Sequence, residues 1–208
     1  MARDKANNYQ QTIQPIEGAL AALKGADTGR GAEVLNSIRA NVQDIAPGVI
    51  QRMMPNSITD PVKRQALEEA QKYLTGMAVK SPGGARSDAG QAASAASNPS
   101  IHIGNAAATH VANAILAQKR MEQAGTLAFN NAKGQDGQAL PASEYDRYMN
   151  KWNTNQDPRA YIADKMEPAD RAALVSGMGG TKSAAYQKFR NSYQAGIDGK
   201  VIPNHGGN

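Results

Sequence analysis

The stretch Asn105-Ala-Ala-Ala-Thr-His-Val-Ala-Asn-Ala-Ile-Leu-Ala-Gln-Lys-Arg-Met-Glu-Gln-Ala-Gly-Thr-Leu-Ala-Phe-Asn-Asn-Ala-Lys133 decides the fold class. It holds no proline and is rich in alanine, the best helix former. Asn105 can cap it, and Val111, Ile115, Met121 or Glu122, Gly125 and Phe129 return near one side at helical spacing. The expectation is one long helix over 106–133, about 40 Å if unbroken at ~1.5 Å per residue.

Working outward, helix punctuation recurs from end to end and no run of period-2 alternation interrupts it. Toward the C-terminus, Gly134-Gln-Asp-Gly137 reads as a turn. Pro141 and Ser143 start a short helix with Tyr145, Tyr148 and Trp152 at i, i+3 and i+7, and Asp157-Pro158 and Glu167-Pro168 are two more helix starts. Gly177-Met-Gly-Gly180 precedes a last helix carrying Ala185, Phe189 and Tyr193. Toward the N-terminus, Asn98-Pro99 forces an extended or turn conformation, and Ser100-Ile-His-Ile-Gly104 is the one strand-like run. Residues 81–99 are Gly-, Pro-, Ala- and Ser-rich, readable as a flexible linker or, over 87–97, as a weak Ala-rich helix. Earlier segments start at Asp60-Pro61 (Leu67, Ala70, Leu74, Met77), near Thr28 (Leu35, Ile38, Val42, Ile45, ended by Pro47-Gly48) and at Pro15 (Leu20 and Leu23, stopped by Gly25). The predicted fold is all-α, elongated or bundled helices with small-residue packing and no substantial sheet. Its regions are 1–80 (helical), 81–104 (linker or loop), 105–200 (helical) and 201–208 (flexible tail).

Composition narrows the function. The 208 residues include 37 Ala, 15 Gln and 16 Asn but only two Phe and one Trp, so closely packed thin helices suit the chain better than a sandwich or barrel. With no Cys, disulfide scaffolds, thiol catalysis and Cys-ligated metals are excluded. No 18-residue apolar window exists, and no apolar stretch follows the N-terminus to make a secretory signal. The net charge of +5 permits contact with nucleic acid, yet the cations are dispersed. The adjacent basic pairs are Lys63-Arg64 and Lys119-Arg120, so these four residues are the candidate nucleic-acid contact.

Residues capable of chemistry are few. His102, His110 and His205 lack an acidic partner at metal-ligand spacing, and no cofactor is expected. Glu68-Glu69, Glu144/Asp146 and Asp164/Glu167 could in principle serve as a glycosidase pair, but each reads more simply as a solvated face or a first-turn acid. Gly177-Met-Gly-Gly-Thr-Lys182 does not meet the Walker spacing. Tyr145, Tyr148 and Trp152 form the densest apolar group in the chain. They are either a local core or a partner interface, because aromatic anchors with polar tips suit both.

The run Asn98-Pro-Ser-Ile-His-Ile-Gly-Asn105, the long Ala/Gln helix after it, Tyr145-x-x-Tyr-x-x-x-Trp152 and Asp157-Pro-x-Ala-Tyr161 together resemble the virion-associated internal, or DNA-ejection, proteins of tailed bacteriophages. The resemblance covers roughly residues 65–200 and rests on pattern, not on a catalytic signature. It implies a helical, non-enzymatic structural protein of the particle interior or tail, present in the virion and in the host cytoplasm during assembly. It further implies partners among other virion proteins and copies of itself, contact with DNA, and transient contact with the host envelope during genome ejection. No functional residue carries over. The alternatives are a basic helical nucleic-acid-binding or packaging accessory and a small muralytic enzyme.

Overall fold

The computed structural model describes residues 2–25, 52–53, 65–66, 68–70 and 104–203. The chain is all-α: 78% of this part is helical and it contains no strand. The elements are α1 (Ala2–Gly25), α2 (Asn105–Asn131), a 3-10 turn η1 (Ala142–Glu144), α3 (Tyr145–Asn155), a 3-10 helix η2 (Pro158–Lys165), α4 (Pro168–Gly177) and α5 (Ala184–Asp198). The stripe at Leu35, Ile38, Val42 and Ile45, the segment 81–103, Leu74 and Met77, and residues 204–208 lie outside the described residues. Contacts divide the chain into two compact units, Met1–Ile13 with Ala117–Asn208, and Gln14–Leu116.

In the second unit, Ile16, Ala19, Leu20 and Leu23 are buried at i, i+3, i+4 and i+7 of α1, the stripe of an amphipathic helix. Pro15 does not start this helix, as the sequence suggested, but sits inside it. Its missing N–H removes one donor from the helical ladder, at a point where Gln11 and Pro15 are both exposed. The helix ends at Gly25 as read. The long helix also begins differently. The Gly104 carbonyl already accepts from Ala108 N–H at 2.9 Å, so Gly104 and not Asn105 occupies the capping position. The Gly104 N–H in turn donates to Glu69 Oε1 at 3.1 Å.

The sequence predicts one buried face for α2. Instead, every residue from 114 to 121 is buried, a stretch of more than two turns. Small side chains make this feasible, since Ala107, Ala108, Ala112, Ala114, Ala117 and Ala124 are among the most buried residues and let neighbours approach closely.

The unit that begins at Ala117 builds outward from the second half of α2. The turn at Gly134–Gly137 forms as read: Gly137 takes φ +75°, Gly137 N–H donates to the Gly134 carbonyl at 3.0 Å, and an isolated antiparallel bridge joins Lys133 to Ala139. The Asp157-Pro158 start is a true cap, with the Asp157 carboxylate accepting from Arg159 N–H. η2 packs against α5, and Asp157 N–H donates to Ser192 Oγ at 2.8 Å. α5 ends at Asp198 and leads into a closing turn. Lys200 adopts φ +55°, Val201 and Ile202 N–H both donate to the Gly196 carbonyl, and both side chains are buried. Residues 201–202 therefore belong to the folded unit and not to a tail. Two apolar side chains directly after a helix end can fold back onto it, a contact that often accompanies such caps.

Candidate functional site

Tyr145, Tyr148 and Trp152 of α3 gather around Phe129 of α2. Phe129 lies at their centre: its ring is 5.2 Å from Tyr145 at 89° and 5.4 Å from Tyr148 at 68°, edge-to-face geometries that aromatic quadrupoles favour. Tyr148 and Trp152 stack at 6.4 Å and 17°. Trp152 Nε1–H donates to the Met121 carbonyl at 3.0 Å. Thr126 Oγ1 uses its proton on the Glu122 carbonyl at 3.0 Å, so the 2.8 Å bond between Thr126 and Tyr145 is donated by the tyrosine. Gly125 is required here, because a Cβ at that position would lie 2.8 Å from the Trp152 ring and 2.9 Å from Met149 Cε. Tyr145, Tyr148 and Trp152 thus serve as a local core whose outer edges remain half-exposed. Burial raises the Tyr148 hydroxyl pKa.

A second, polar centre lies between α2 and η2. Arg120 Nη1 donates to Asp164 Oδ1 at 2.7 Å and to the Tyr161 carbonyl at 2.9 Å. The two charged side chains are only 3% and 2% exposed. In such surroundings an ion pair is compensated only when its hydrogen bonds are well made. Tyr161 is fully buried beside them. Its hydroxyl donates to Gln156 Oε1 at 3.1 Å, and burial pushes its pKa far above the ordinary phenol value.

These contacts account for two of the four basic candidates. Arg120 is committed to Asp164, and Lys119 is buried with Nζ 3.2 Å from Glu122 Oε2. Both side chains are buried and engaged within the fold. Lys63 and Arg64 lie outside the described residues. The carboxylate pairs are likewise separated by environment. Asp164 is held by Arg120, and its other oxygen faces Lys165 at 3.8 Å, whereas Glu167 is exposed. Glu144 pairs with Arg147 at 3.6 Å, Asp146 is exposed, and Glu69 caps Gly104 while Glu68 is exposed. His110 is half-buried on α2, while His102 and His205 lie outside the described residues. Among the described residues, no group of three His, Cys, Asp or Glu could hold a metal ion, and no helix is long and apolar enough to cross a membrane.

The Arg120–Asp164 clamp is the feature that sequence reading missed. Its partners are 44 residues apart, each carried a plausible surface role, and no local spacing connects them. Compared with protein-family models, curated proteins and solved structures, the chain finds no match in any of the three.

Proposed function

We propose that this chain is a non-enzymatic structural protein of a tailed-phage particle, in its interior or tail, that assembles with itself and neighbouring virion proteins and takes part in genome ejection. What carries the reading is the use made of the motif residues. Tyr145, Tyr148, Trp152, Asp157 and Tyr161 are spent on internal contacts, as in a scaffold whose output is shape. α4 adds support, since Ala169, Ala172, Ala173 and Ser176 give it a smooth exposed side on which another helix could lie closely. Helices rich in alanine also reform at low cost after disruption, which suits passage through a narrow channel.

The test is peptide mass spectrometry with copy number on purified particles of the source phage or induced prophage. Multiple copies per particle are expected. Absence from clean particles would remove the reading and shift weight to an intracellular nucleic-acid accessory.

A further inference from the structure

Folding sorts the dispersed charges of the C-terminal unit into two unequal sets. Residues 134–170 contain seven acidic and four basic side chains. Three of those four bases are paired: Arg147 with Glu144, Arg159 with Asp157 and Lys165 with Asp164. Residues 171–203 contain five Lys/Arg and one acid. All five of these cations are exposed, and none takes part in an ion pair among the described residues. Arg171 donates to the Met166 carbonyl. The other four mark out α5: Lys182 just before it, Lys188 and Arg190 within it, and Lys200 just after it.

We propose that this side of α5 is a contact surface for double-stranded nucleic acid. The inward stripe of the helix is Phe189, Ser192 and Gly196. At 100° per residue this directs Gln187, Asn191 and Gln194 outward, with Lys188 and Arg190 on the two flanks of that amide ridge. All five are exposed. Lys188 is steadied by the bond from its Nζ to the Thr154 carbonyl at 3.0 Å. The single acid, Asp198, accepts from Gln194 Nε2 at 2.8 Å. Asp157 and Asp164, on the η2 element packed against α5, are held by Arg159 and Arg120. The helix is about 22 Å long at ~1.5 Å per residue, and a duplex presents a negative charge every ~1.7 Å of its axis, so cations near both ends of α5 can reach phosphates at once. An anionic membrane fits less well: an interfacial helix needs large apolar side chains opposite its cations, and the exposed nonpolar residues of α5 are Ala184 and Ala185 alone. The surface rests on the DNA contact that the virion reading implies and gives it a place, and the two are tested apart: duplex binding on the purified chain, virion membership on particles.

The test is fluorescence anisotropy of the full chain with a labelled duplex of about 20 base pairs, titrated between about 50 and 200 mM salt. Four phosphate contacts predict roughly a hundredfold loss of affinity across that range. The triple variant Lys182→Gln, Arg190→Gln, Lys200→Gln, checked for native circular dichroism, should lower the salt slope by about 0.9 for each contact removed. Arg190→Gln alone, should the triple variant misfold, should lower it by about 0.9. No binding at the lowest salt, or an unchanged slope in the folded variant, overturns the proposal. Capture by phosphatidylglycerol vesicles without duplex binding overturns it too, in favour of a lipid surface.

Discussion

η2 and α4 follow one another in the chain and begin alike, each with an acid followed by proline, yet they end in opposite environments. In η2, Pro158, Ala160, Tyr161, Ile162 and Ala163 are all buried. In α4, only Leu174 is buried. The start signal is therefore not what separates them. η2 carries a consecutive apolar run and an acid that meets Arg120, and its Tyr161 carbonyl bonds to that arginine. Such a segment is held from several sides at once, which supports a 3-10 run of 8 residues, longer than is usual for that helix. α4 spaces its apolar residues for a single contact and keeps an ordinary helix on the surface. The Glu167 side chain makes no capping bond, whereas Asp157 caps and also grips Arg159 at 2.9 and 2.6 Å.

The contrast can be broken at graded cost. Asp164→Ala, which strands a buried guanidinium, should destabilise the fold by about 3–5 kcal/mol in urea denaturation; a loss under 1 kcal/mol would mean that the clamp is open in solution. Gly196→Ala comes next. Its new Cβ would overlap the Ile202 side chain and lie 3.3 Å from the Tyr161 ring, so overpacking of about 1–3 kcal/mol is expected as a fall in midpoint at unchanged slope. Asp157→Ala should cost about 1 kcal/mol or somewhat more, while Glu167→Ala, which removes no side-chain cap, should cost only a few tenths; equal effects would erase the distinction between the two starts. The smallest effect belongs to α4, where Ala172→Gln should change stability by no more than about 0.5 kcal/mol. If that substitution nevertheless abolished self-association in sedimentation velocity, the exposed side of α4 would be identified as an assembly contact.

Much of this architecture is legible in the amino-acid order. Proline, glycine and acid punctuation marks the starts of η2 and α4, the turn at Gly134–Gly137 and the separation of α4 from α5, because local backbone chemistry decides those points. Pro15 misleads for the same reason, since a local signal cannot register that the flanking residues favour one continuous helix. The burial of every residue from 114 to 121 is not legible, because Gln118, Lys119 and Arg120 are polar or charged and nothing in the local order marks what surrounds them. The charges teach the same lesson in reverse. The pair Lys119-Arg120 looks like a patch in one dimension and is buried in three, while Lys182, Arg190 and Lys200, dispersed in the sequence, are all exposed. The aromatic trio is visible as a group from its spacing, but its partner Phe129 and the fit of Gly125 beneath Trp152 depend on tertiary contact.

Native-state hydrogen exchange reads whether the segment from Asp157 to Asp164 is an interior plug of the unit that contains it. Arg159 and Ala160 N–H are engaged at the buried start of η2. The η2 amides should exchange only with global unfolding, while the α4 amides open at a small fraction of that free energy. Exchange of η2 as fast as α4 would contradict it and would return Tyr161 and its neighbours to the surface.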